Sequence, residues 1–448
     1  MSALLLWIYN LVAVPLLLAA VGLGTLVNKK VRRAVLGRRA LFRQLRKELA
    51  AVDPNAPRLW IHACSMGEFE QACPVVVAAR QRIQPLVVVL SVTSPSVRDH
   101  ISGRPEADVV SYLPLDTIWA ARRFVRLLRP QAALVVRHDI WPNHIAQLRR
   151  ASVPSLLIDA TLSAKISPHT RGGRIAGRLL YGGFDYLLAT SEQEAERLRA
   201  GAGPAPQILV VGDTRYDQVQ RRASENDKVQ ELREHFRSVA RLVLVAGSTW
   251  PADEKHLLPA LASVSSTLQG LRTILVPHEP KPEHLVEVER RMAEHGLSST
   301  RLSAWRQGAK ADGAVLIVDE VGILANLYSM ADVAFVGGGF TTGVHSVLEP
   351  AVYNIPVLFG PRHLNSPEAI DLVRRGGGFA VSNAEELQHR LHHLLDNAEE
   401  REGAGRQAKA MVQERTGASV RIALFLERLL TAQGGGHPRH PRDDVRKR

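Results

Sequence analysis

A chain of 448 residues, 46% apolar and 23% charged, is too polar for a many-span membrane protein and too apolar for a mainly disordered one. Its two cysteines, Cys64 and Cys73, exclude a disulfide framework and a four-thiolate metal site, and fit a reducing compartment. The net charge of +13 invites a nucleic-acid reading until it is located: residues 29–48 hold nine Lys/Arg against Glu48, and residues 439–448 hold five against Asp443 and Asp444, so the body is near neutral and nucleic acid is not the expected partner.

The chain opens with 27 uncharged positions, Ser2 to Asn28. As a helix this lead rises about 40 Å, enough to cross a hydrocarbon core of about 30 Å with tilt. Pro15 is a candidate kink. The positive cluster follows the apolar run instead of preceding it, unlike a cleaved signal peptide, and the positive-inside rule puts everything after Lys29 in the cytoplasm. The expectation is a membrane anchor over residues 1–28, single-pass or monotopic, and a basic juxtamembrane segment over 29–48 that meets anionic lipid.

From residue 49 short apolar runs alternate with helical patterns. Residues 58–64, 86–93, 132–140, 155–161, 186–190 and 208–212 read as parallel strands buried on both faces. The charged stretch 221–239 reads as helix and marks a boundary, after which 242–247, 272–277, 315–319, 333–336 and 356–359 form a second strand series. Two consecutive βαβ series imply two doubly wound α/β domains, 49–218 and 219–433, with ligands at the carboxyl ends of the strands. A basic flexible tail over 434–448 completes the chain.

Three constellations sit at strand ends. The first, Trp60 to Glu68, ends a strand in a small-residue turn and puts a carboxylate on the first turn of a helix. Glu68 is either a helix-start glutamate favoured by the macrodipole or a general base for an attacking hydroxyl. The second, Gly247-Ser248-Thr249 before Trp250-Pro251-Ala252-Asp253-Glu254, offers turn amides and two hydroxyls to a phosphate, or an ordinary helix cap. The third, Gly337 to Pro350, has glycines, Gly338 and Gly339 among them, that let backbone approach a phosphate, then His345, Ser346 and Glu349; the glutamate could bond ribose hydroxyls or be a solvated helix residue.

The segments WIHACSMGE (60–68), YLPLD (112–116), IWPN (140–143), GDTRYD (212–217), GSTWPADE (247–254) and HSVLEPAVYNIPVLFGP (345–361) together resemble the 3-deoxy-D-manno-octulosonic acid (Kdo) transferases. They occur in that family's order, after a similar N-terminal anchor. The resemblance implies two Rossmann-like domains in the GT-B arrangement and an inverting, metal-independent transfer of Kdo from CMP-Kdo to a lipid A precursor in lipopolysaccharide biosynthesis, at the inner membrane with the catalytic domains facing the cytoplasm. It matches Glu68 to the catalytic base, and Gly247, Ser248, His345 and Glu349 to the CMP-binding half, with Thr249, His278, Gly338, Gly339 and Ser346 beside them. Ser65, Gly67, Arg137, Asp139 and Arg215 are expected near the acceptor or the sugar, and no cofactor or metal is expected. The chain departs from the family where Arg137-His138-Asp139 stands for an acidic-x-acidic run, where Pro277-His278-Glu279-Pro280 stands for Pro-Arg-His-Pro, and where Ser346 stands for Asn. Another GT-B sugar-nucleotide transferase acting on a membrane lipid would lack WIHACSMGE; a catalytically inactive membrane-tethered nucleotide-binding protein would have no use for Glu68.

Overall fold

The computed structural model describes residues 3–225, 229–309 and 313–434, so the basic tail from residue 435 lies outside the described residues. The chain forms two compact units, one joining the residues up to Gln218 with those from Thr416, the other running Val219–Arg415.

The first unit holds seven parallel strands: β1 (Arg58–His62), β2 (Val87–Val92), β3 (Val109–Tyr112), β4 (Ala132–Val136), β5 (Ser155–Ala160), β6 (Tyr186–Ala189) and β7 (Gln207–Val210). Their order is β3-β2-β1-β4-β5-β6-β7, so the winding direction reverses between β1 and β4. The central strands are apolar on both faces because helices cover both, and Trp60, buried in β1, finds the one partner its indole needs in Ser91 Oγ at 2.8 Å. Two strands stop earlier than their apolar runs. β4 ends at Val136 because Arg137 turns left-handed (φ 58°), and Asp159 (φ 50°) distorts the end of β5 in the same way.

The apolar lead is helical from Ala3 to Val27, with a π-helical turn at Tyr9–Ala13. Pro15 sits in the first turn of the following α-helical stretch, where its missing N–H costs little. Asn28 then caps the helix Lys29–Arg38 by accepting from the amides of Lys30 and Val31.

The second unit repeats the plan with β8 (Leu242–Thr249), β9 (Leu271–Pro277), β10 (Ser299–Arg301), β11 (Val315–Ile317), β12 (Val333–Val336), β13 (Val357–Phe359) and β14 (Gly378–Ala380), ordered β10-β11-β9-β8-β12-β13-β14 and parallel throughout. Its switch point lies between β8 and β12. Leu244, Leu261, Phe335 and Leu358 lie at its core.

One boundary needs correction. The sequence reading assigns all of 219–433 to the second domain, yet the helix Ala418–Gly434 belongs to the first unit, where Ile422, Ala423 and Leu426 join its core. Asp217 accepts from the amides of Gly417 and Ser419 at 2.6 and 3.0 Å and so caps that helix, and Arg421 Nε donates to the carbonyl of Val211 at 2.7 Å.

Candidate functional site

In the first unit the chemistry gathers beside the switch point. Past β1, Ser65 caps the helix Met66–Arg82, its Oγ accepting from the Glu68 amide at 3.2 Å. Glu68 returns the favour: its Oε2 accepts from the Cys64 amide at 2.6 Å. Both ends of the carboxylate-bearing turn are thus fixed, with Glu68 only 9% exposed. The Cys64 thiol hydrogen-bonds the same carboxylate; burial, that bond and the charges of Asp139 and Glu68 push its pKa up, so it stays protonated. A side chain on Gly67, the residue before Glu68, would meet nothing within 4 Å.

Past β4, Asp139 bonds the Nε2 of buried His62 at 2.9 Å, while His62 Nδ1 faces the carbonyl and hydroxyl of Ser91. Burial works against the charge on Asp139, but the hydrogen bond and charge of His62, with Trp141 and the charge of Arg38, together outweigh it and hold the carboxyl below its usual range. Burial and the charge of Arg137 lower the pKa of His138, against the opposing pull of Glu68. Arg137 Nε is buried without a hydrogen-bond partner among the described residues. Arg38, from the helix Lys29–Arg38, donates to the carbonyls of Leu113 and Thr93 at 2.8 and 3.1 Å, tying the ends of β3 and β2.

Two quoted motifs meet in a clasp. Asp116 of YLPLD accepts from the amides of Asn143 and His144 and bonds His144 Nδ1 at 2.6 Å, and the Asn143 amide group of IWPN donates to the Asp116 carbonyl. The apolar lead joins it: Tyr9 Oη donates to Asp116 Oδ2 at 2.8 Å, and Asn10 pairs with Asn143.

In the second unit the loops after β8 and β12 lie side by side. Trp250 Nε1 donates to His345 Nε2 at 2.9 Å. An indole is donor only, so that nitrogen carries no proton, in keeping with a His345 pKa lowered by burial and by the charge of His278. His278 stacks on Trp250 at 4.6 Å and on His345 at 4.4 Å. Fully buried Asp253 ties this corner together: Oδ2 accepts from the amides of Trp250 and Gly338 at 2.9 and 2.8 Å, and Oδ1 from Phe340 at 3.1 Å. Glu349 lies 3.5 Å from Arg222; burial raises its pKa and Arg222 draws it back.

A family model described as 3-Deoxy-D-manno-octulosonic-acid transferase (kdotransferase) matches residues 36–218. The 3-deoxy-D-manno-octulosonic acid transferase of Haemophilus influenzae is 27% identical over 427 residues, covering 93% of this chain and 96% of its own. That of Aquifex aeolicus is 27% identical over 340 residues, covering 75% and 86%. Over most of its length the chain is similar to Kdo transferases. It is a glycosyltransferase. Its fold is shared more widely: the UDP-GlcNAc 2-epimerase of Neisseria meningitidis, solved with UDP-GlcNAc, superposes with a TM-score of 0.59 at 13% identity, covering 84% of this chain and 100% of that one.

Of the expected site residues, Ser65, Gly67, Glu68, Arg137 and Asp139 come together at one switch point, and Ser248, Thr249, Gly338, Gly339 and His345 at the other. In the glycine turn the amides of Gly338 and Phe340 donate to Asp253, so these two are not free for a phosphate. Gly338 is required by its left-handed backbone (φ 90°), and Gly339 by the backbone of Gly360, 2.5 Å from where its Cβ would be. Thr249 is likewise spoken for: it is buried and its hydroxyl donates to Glu254 at 3.0 Å. Gly247 leaves room for Tyr328, whose hydroxyl would lie 2.1 Å from a Cβ. His278 and Ser346 are exposed. Arg215 turns its guanidinium onto Asp213, at 2.7 Å, within its own loop. Sequence reasoning missed His62, Asp253 and Arg38. A histidine on a buried strand and an aspartate three residues past a helix cap were the available signals for the first two; Arg38 was hidden in a charge count. Among the described residues no group of three His, Cys, Asp or Glu side chains is placed to hold a metal ion.

Proposed function

We propose that this chain moves Kdo from CMP-Kdo onto a hydroxyl of a lipid A precursor in lipopolysaccharide biosynthesis, with inversion, without a metal or cofactor, and with Glu68 as general base. The observation that carries the reading is the fixed carboxylate of Glu68 on the first turn of the helix at a strand-end switch point, in a turn where Gly67 leaves open space. In the step, the acceptor oxygen bonds the anomeric carbon as its proton passes to Glu68, and the bond from that carbon to the CMP phosphate breaks, releasing CMP. Asp139, kept ionised by His62, and Arg137 are suited to the polar groups of sugar or acceptor. For the nucleotide, the exposed ring of His278 beside Trp250 and His345 suits a base, the Ser248 hydroxyl and the start of the helix Pro251–Thr267 suit a phosphate, and Glu349 suits ribose hydroxyls.

The acceptor is a lipid, and the first unit has the means to stay near one. Lys29, Arg32, Arg33 and Arg98 line a depression of about 430 Å³ beside the apolar helix, suited to anionic inner-leaflet headgroups. Tyr9 and Asn10 bond the unit itself; a spanning helix would carry both into hydrocarbon, so we propose a monotopic helix lying in the interface of the inner membrane, with the body in the cytoplasm. The test is to supply detergent-solubilised protein with CMP-Kdo made in situ and a tetraacylated lipid A precursor, and to weigh the products. A mass increase of one or more Kdo units is expected; an unchanged acceptor beside consumed CMP-Kdo would sink the acceptor assignment.

A further inference from the structure

The helix Ile118–Leu128 buries Ala121, Phe124, Val125 and Leu128 in the first unit and shows its other face to solvent. On that face Trp119 is 84% exposed. Arg122, Arg123 and Arg126 follow at the three-, four- and seven-residue spacing of one helical stripe, all exposed. Arg150, at the end of the helix Pro142–Arg150, joins Arg122 and Arg126 around a depression of about 360 Å³, and Arg129 lies just beyond. The helix contains no Asp or Glu, and Arg122, Arg126, Arg129 and Arg150 have no carboxylate partner among the described residues. The helix Pro282–Glu294 of the second unit is built differently: Arg290 pairs with Glu287 and Glu294, and Arg291 with Glu287. A solvated face mixes its charges in that way, whereas uncompensated cations around a protruding indole mark a surface meant for contact.

Its neighbours say what it contacts. Asp116, two residues before the helix begins, holds Tyr9 of the apolar lead, and Arg123 lies 4.3 Å over the ring of Phe42 in the basic segment. We infer that this face is a second membrane contact, with Trp119 seated at headgroup level and the arginines against the phosphates of anionic phospholipids. Indoles favour that depth, and cations close to an anionic bilayer gain from its surface potential. This rests on the membrane attachment proposed above and extends it from residues 3–48 to the folded body.

The test uses the full chain, diluted from detergent onto vesicles of pure phosphatidylcholine or of phosphatidylcholine with phosphatidylglycerol, with partitioning measured by flotation. The parent should bind both and prefer the anionic vesicles. Arg122→Ala with Arg126→Ala should lose about fivefold per cation on anionic vesicles and nothing on neutral ones. Arg122→Lys with Arg126→Lys should keep the preference, which separates charge from folding, and Trp119→Ala should bind both vesicles less well. The paired-charge control Arg290→Ala with Arg291→Ala should change neither. Equal partitioning of the double alanine variant and the parent on anionic vesicles, or an equal loss in the control, would overturn the inference. A parent that bound neither vesicle would overturn the anchor reading as well, so the two failures are told apart.

Discussion

The two units present their working loops at the same topological place and fill it with opposite chemistry. Beside β1 and β4 stand Glu68, His62, Asp139, His138 and Arg137, ionisable groups that bias one another. Beside β8 and β12 stand glycines and stacked rings, and the carboxylates there, Asp253 and Glu254, are buried in structural bonds. If the proposed roles hold, one fold places proton transfer where ionisable groups face one another, and recognition where the carboxylates hold the loops together.

The sharpest way to break this contrast is Glu68→Gln, which keeps shape but cannot take a proton. Turnover should fall by about 10² to 10⁴ fold, and CMP affinity should change by less than about threefold. Retained turnover with a rate-limiting chemical step would move the base to Asp139. Next comes Asp253→Asn, which replaces a buried acceptor of three amides by a group that must point an NH₂ at one of them. Unfolding of the second unit should become easier by about 1.5 to 3 kcal/mol, read by chemical denaturation, and CMP affinity should fall with it. His278→Ala removes an exposed ring from the stack; CMP should bind about two- to tenfold more weakly with turnover of the bound complex preserved. Calorimetric titration and single-turnover rates would separate these. Glu349→Gln is subtler. A carboxyl whose pKa is raised in the folded state gives up stability as pH climbs from its unfolded value through its folded one. The amide variant should therefore lack that decline, matching the parent at acid pH and exceeding it at neutral pH in thermal melts. It should also bind CMP less tightly. Smallest of all is the effect of excess EDTA, which should leave transfer unchanged; loss restored by magnesium would refute a metal-free second unit.

Much of this was legible in the chain. The runs RLWIH, LVLVAG and VAFV announce strands because continuous apolar residues need cover on both faces, and the turn from Trp60 to Glu68 sits where its pattern of small residues implied. β10 and β14, three residues each as STR and GFA, carry no such run and take their conformation from the strand beside them. The role of Asp253 depends on amides 85 and 87 positions away, which no local pattern encodes. Arg38 was read with its basic neighbours as lipid-facing, since a tally of charge has no direction; the structure turns it inward to two strand-end carbonyls.

The return of the helix Ala418–Gly434 to the first unit sets an order of assembly. Synthesis is vectorial, and the second unit is one uninterrupted stretch, complete once Arg415 has emerged from the ribosome. The first unit is not complete then, although the whole of its sheet has long been made. Its core still lacks Ile422, Ala423 and Leu426, and Asp217 still lacks the amides it caps. The half of the molecule that begins first is finished last, and a nascent chain halted near residue 415 would hold one finished unit and one unfinished.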